Sequence, residues 1–173
     1  MEGRLYHESS TILPLMFSLI IGILFAGTAI FTIYATVITE DIEIGSATGI
    51  TLVVSMIAIL VFSALLFMLR IKITVTYDSL NVGMFKGRTV PMKEIHSVTA
   101  EEFSAFKDYL GWGLKVGRKG FGYIAAGTNK GLRINLIGGK SFFISSKRTF
   151  EFESAMNMAL KASKAPKGRS ERT

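Results

Sequence analysis

Two stretches of the chain contain no Asp, Glu, Lys or Arg: residues 9–39 and residues 44–69, 31 and 26 residues long. A helix rises about 1.5 Å per residue, so about 20 apolar residues cross a hydrocarbon core of ~30 Å. Both runs exceed that length. Their apolar residues leave no polar face, as Leu15, Phe17, Leu19, Ile20, Ile23 and Leu24 show in the first and Leu52, Val53, Met56, Ile57, Leu60 and Val61 in the second. A two-helix transmembrane hairpin is therefore expected over 11–69, with spans at about 11–38 and 48–69. Pro14 suits a first helical turn, where its missing N–H costs little. The run is too long for the apolar core of a signal peptide, and no small-x-small cleavage site follows before Glu40.

Charge divides at the same place. Of 20 basic residues, only Arg4 precedes Arg70, so residues 1–69 sum to −4 and residues 70–173 to +11. The loop expected at 39–47 holds Glu40, Asp41 and Glu43 and no base. The positive-inside rule puts that loop outside, with both termini in the cytoplasm and the chain a multi-pass protein of the cell (inner) membrane. Arg70 and Lys72 then anchor the end of the second span. Ser18, Gly22 and Ala26 repeat at four-residue spacing, and Thr51, Ser55 and Ser63 form a weaker stripe; small residues of this kind let helices pack closely. Neither span contains an ionisable residue, which argues against a self-contained transporter. Residues 1–10 form an N-terminal segment on the cytoplasmic side.

After Arg70 the hydrophobic period changes from helical to two. Ile71, Ile73, Val75 and Tyr77 alternate with Lys72, Thr74 and Thr76; Leu80, Val82 and Met84 alternate next; Leu132, Ile134 and Leu136 do so later. Gly-containing turns separate roughly seven short strands, which favours an antiparallel sandwich or partly open barrel. The segment 101–110 is weakly periodic and reads as a loop or short turn. Phe152, Ala155, Met156, Ala159 and Leu160 follow helical spacing, so a C-terminal helix closes the β domain, which spans 70–162. Residues 163–173 read as a disordered basic tail.

The residues Tyr109-Leu110-Gly111-Trp112-Gly113-Leu114, the Gly-rich hairpin with Tyr123, the run Gly131-Leu132-Arg133-Ile134 with Leu136, and Ile144-Ser145-Ser146 before the helix carry a family likeness. The chain resembles bacterial and archaeal membrane-anchored proteins with a pleckstrin-homology-like domain, over about 70–160. That resemblance implies a seven-stranded β sandwich closed at one corner by a C-terminal helix. Eukaryotic relatives of the fold bind inositol phosphates through bases in the first hairpin. Here that hairpin is Tyr77-Asp78-Ser79-Leu80, without a base at its tip, so the property does not carry over.

The chemistry expected of the chain is binding rather than catalysis. Absent cysteine excludes a disulfide scaffold, a zinc ribbon and thiol chemistry. His7 and His96 have no neighbour at metal-ligand spacing, and no Gly-x-Ser-x-Gly elbow occurs. Glu101 and Glu102 are adjacent, so in a strand they point to opposite faces. No catalytic, cofactor-binding or metal site is expected, and no small-molecule substrate. The bases Arg70, Lys72, Arg118, Lys119, Lys147, Arg148, Lys164, Lys167 and Arg169 are candidates for facing an anionic leaflet, at about 1 kcal/mol each. Trp112, Phe121 and Tyr123 alternate and are expected in the core rather than as stacking platforms for nucleic acid. The expected function is a non-enzymatic module that docks a protein partner or copies of itself, with an anionic-lipid-responsive regulatory module as the alternative.

Overall fold

A computed structural model of the chain describes residues 3–38, 53–61, 64, 69–84 and 87–164; within 15–38, the side chains at 15, 16, 18, 33 and 35–38 are outside the description. The acidic loop at 39–47, Thr51, Ser63, Lys167 and Arg169 lie outside the described residues, as does most of the stretch 163–173. The chain divides into two compact units, one formed by residues 1–12 with 70–173 and the other by 13–69.

The larger unit is built on two sheets. In the first, β1 (Arg4–Thr11), β2 (Arg70–Thr76), β3 (Ser79–Gly83) and β4 (Arg88–Pro91) lie in that order, every neighbour antiparallel. The second contains β5 (Ile95–Glu102), β6 (Gly113–Gly117), β7 (Gly120–Ile124), β8 (Lys130–Leu136) and β9 (Ser141–Ser145), in the order β5-β8-β9-β7-β6. All its pairs are antiparallel except β7 with β9, which is parallel. Alternation decides the faces: Ile71, Ile73 and Val75 of β2 are buried while Arg70 and Lys72 are exposed. The same period buries Leu80 and Val82 of β3 and Leu132 and Ile134 of β8.

The described residues thus hold nine strands, not seven, and the extra pairing begins with β1. Its inward positions are Tyr6, Glu8 and Ser10, all buried. Because two of these are polar, no apolar alternation marks the strand. Glu8 is satisfied in place: its carboxylate accepts from Ser10 Oγ at 2.6 Å, Ser146 Oγ at 2.5 Å, the Lys147 N–H at 3.1 Å and the Tyr6 hydroxyl. Burial pushes its pKa up, but these hydrogen bonds outweigh that and hold it below the ordinary Glu value. The Tyr6 ring stacks on Phe152 at 5.1 Å, and the Arg148 guanidinium lies over the same ring, 5.1 Å from its centroid, while donating to His7 O at 2.6 Å. β1 is therefore clamped to the turn that opens the C-terminal helix.

That helix, taken here with the other helical pieces in chain order, is α4 (Thr149–Lys164). It buries Phe152, Ala155, Met156, Ala159 and Leu160, the stripe expected from spacing, against β1, β2, β5 and β8. The other helical pieces among the described residues are α1 (Leu15–Ile38), α2 (53–61), a single 3-10 turn at Met92–Glu94 and the short α3 (Ala105–Tyr109).

The transmembrane hairpin needs correcting. Among the described residues no helix is long and apolar enough to cross a membrane. The start at residue 11 is also displaced: Thr11 belongs to β1, and Ile12 is buried in the β unit. The two-span fold class, the membrane assignment and the multi-pass inner-membrane placement, with its orientation, therefore do not stand. Within α1, Gly22 and Ala26 are exposed, and nothing approaches within 4 Å of where a Gly22 Cβ would sit. Among the described side chains of α1 the half-buried ones are Ile21, Phe25, Ala29 and Thr32, while Ser18 lies outside the description; Ser55 of α2 is exposed.

Candidate docking surface

The segment 101–110, without clear periodicity, contains the element that shapes the site. β5 runs on to Glu102, and α3 then starts at the cap Ser104, whose Oγ accepts from the Lys107 N–H at 3.4 Å. Asp108 reciprocates by accepting from the Ser104 N–H at 2.9 Å. This bond, together with Lys119 at 3.3 Å, holds the Asp108 carboxyl below its usual pKa. The helix ends at Leu110 with φ 59°, the left-handed region that costs a leucine about 1–2 kcal/mol. The Gly111 N–H closes the turn onto Ala105 O at 2.8 Å.

α3 lies directly on the β6–β7 hairpin because the hairpin has no side chains there. A Cβ at Gly117 would sit 2.0 Å from Asp108 O, and one at Gly122 would sit 2.9 Å from the Tyr109 ring. Tyr109 fills the space, fully buried, stacked on Phe143 at 5.5 Å and edge-on to Phe103 at 5.9 Å. Burial raises its pKa, against the opposing hydrogen bond from Arg133. Arg133 ties the surrounding pieces together, donating to Glu101 at 2.8 Å, to Lys119 O at 2.9 Å and to the Tyr109 hydroxyl at 3.3 Å. Glu102 turns away from Glu101 and pairs with Lys130 at 3.2 Å.

This scaffold fixes an apolar border along β6. Strand β6 pairs with β7 on one side, and among the described residues no strand lies on the other. Leu114 and Val116 lie opposite Tyr123 and Phe121 in the ladder, and Phe121 in turn lies beside Phe142. They continue the sheet's inner apolar face outward, yet they are 51% and 74% exposed. On the opposite face, Phe106 and Leu110 of the α3 region are also exposed, with Phe106 edge-on to Trp112 at 4.9 Å. Lys115 points to this second face, where its Cε would lie 3.9 Å from a Cβ at Gly111. Of the three aromatics expected in the core, Tyr123 is buried, while Trp112 and Phe121 are half-buried.

The described bases named as lipid-facing belong to three parts of the β unit: β2, the β6–β7 turn and the two ends of α4. Arg118 and Lys119 form the β6–β7 turn, and Lys119 is engaged with Asp108 and Glu102 O. Lys147 and Arg148 precede α4, where Arg148 pairs with Glu151 at 2.9 Å. Lys164 ends α4 and donates to His96 O at 3.3 Å. A helix of this length separates its two ends by about 24 Å. Arg70 and Lys72 are exposed on β2. Sequence reasoning missed Phe106 and Leu110; the Ser104–Asp108 cap followed by Gly111 was the signal that could have found them.

Comparison with protein-family models, with curated proteins and with solved structures finds no match to this chain.

Proposed function

We propose that the β unit is a non-enzymatic docking module that holds a protein partner along β6. One observation carries this reading: an edge strand presents Leu114 and Val116 to solvent on one face, with Phe106 and Leu110 exposed on the other. Monomeric surfaces avoid open apolar edges because they invite pairing with another chain. Two sheets closed by α4 support the pleckstrin-homology-like reading as part of this proposal; the N-terminal β1 and the parallel β7–β9 pair are this chain's departures from the expected seven strands.

The test is site-specific photocrosslinking in the producing cell. A benzoylphenylalanine placed at Val116 is expected to yield discrete protein adducts, and the same group at exposed Lys140 is not. Equal adducts at both positions, or none at Val116, would sink the docking reading.

A further inference from the structure

We propose that the partner of β6 is an extended acidic segment, its apolar and acidic residues alternating, which adds to the sheet as a further strand. The inference rests on the docking reading and names the chemistry of what docks. An edge strand offers a row of backbone N–H and C=O groups, and a strand laid beside it is the shape that satisfies them. The side chains then specify the alternation. Leu114 and Val116 share one face and Lys115 takes the other, so an added strand meets apolar surface at every second residue and a base between them.

Charge decides the sign of the intervening residues. Lys107 belongs to α3, which packs on β6, and Arg118 opens the turn that follows β6; both are exposed, and among the described residues neither forms an ion pair. Asp108, the acid of α3, is already engaged by the Ser104 N–H and Lys119. Glu101 is engaged by Arg133. The border is therefore basic toward a newcomer. A second copy of β6 is disfavoured by the same rule, because antiparallel self-pairing centred on this strand sets Lys115 against Lys115, and like charges directly opposite are destabilising.

The purified full chain supplies its own reporter, since Trp112 is the single tryptophan and leads into β6. The probes are two synthetic peptides of equal length, one alternating Val and Glu and the other alternating Val and Lys. The Val/Glu peptide is expected to bind saturably, to shift Trp112 emission and to slow amide exchange in β6. Lys115→Glu should weaken that binding about tenfold and improve binding of the Val/Lys peptide. A Leu114→Ser/Val116→Ser double variant, changing only exposed side chains, should weaken both. Equal binding of the two peptides, or binding that leaves β6 amides unprotected, overturns the proposal. So does a Trp112 response to vesicles of phosphatidylcholine and phosphatidylglycerol with none to peptide, which assigns the surface to lipid. Protein adducts through Val116 alongside failure of both peptides would leave the docking reading standing and remove the acidic strand.

Discussion

Glu8 shows how much of this fold depends on a residue that hydrophobicity cannot detect. A carboxylate only 6% exposed survives because four donors converge on it, two of them from the turn before α4. Hydrogen bonds to a charged group contribute about 1.5–3 kcal/mol, so Glu8→Gln should cost about 2 kcal/mol at neutral pH, read by urea unfolding. The Lys147 N–H cannot reverse its role, so a glutamine cannot serve all four donors with a neutral amide. The pH dependence has a definite direction. Since the folded pKa is depressed, the contribution is complete above the ordinary Glu value of about 4.3 and fades as pH falls through the lower folded value. The gap between the two proteins should therefore close in acid. Parallel stability curves from neutral to acid pH would show that the ionised form contributes nothing. Nothing in the sequence marked Glu8, because a lone acid between Tyr6 and Ser10 in a short polar run reads as solvated.

Legibility at the level of elements followed period and length. β2, β3, β8 and α4 each repeat apolar residues often enough to declare their inward face: α4 buries its whole stripe, and the strands bury Ile71, Ile73, Val75, Leu80, Val82, Leu132 and Ile134, while the terminal residues of each pattern fall outside the core, with Tyr77 exposed and Met84 and Leu136 half-buried. β1 carries its period in polar residues, and α3 spans five residues, too few for a helical period to register. The uncharged run at 9–39 misled in a different way. Its first residues, through Thr11, are claimed by pairing with β2, so absence of charge did not mark where one element stops and another starts. The α3–hairpin contact offers the sharpest test at this scale. Gly117→Ala sets a Cβ against backbone at Asp108, which cannot rotate aside, so α3 must lift off the hairpin. A loss of about 3 kcal/mol is expected, the upper part of the range for overpacking, along with a red shift of Trp112 emission as Phe106 and Tyr109 move. Retention of both stability and emission would mean that α3 does not need this close seat.

For the molecule as a whole, the β unit is discontinuous in sequence: β1 lies before residue 13 and every other strand among the described residues lies after residue 69. The ladder brings the two pieces together, because Thr11 lies opposite Arg70 as the last pair between β1 and β2. Cα atoms of such partners are about 5 Å apart, a gap that a tight turn closes. Residues 13–69 can then be exchanged for a short Asn-Gly-containing turn without stretching either strand. The joined variant, residues 1–12 linked to 70–164, is expected to unfold in one cooperative transition and to keep slow amide exchange in β2. Residues 70–164 alone should behave otherwise. Without β1 they uncover one edge of β2, remove Tyr6 from Phe152 and leave Ser146 Oγ and the Lys147 N–H without the Glu8 carboxylate. Each loss adds to the next, so this shorter piece should melt well below the joined variant or fail to fold. Equal melting of the two would show that β1 rests on the sheet without stabilising it, and the Glu8 clamp would lose its role.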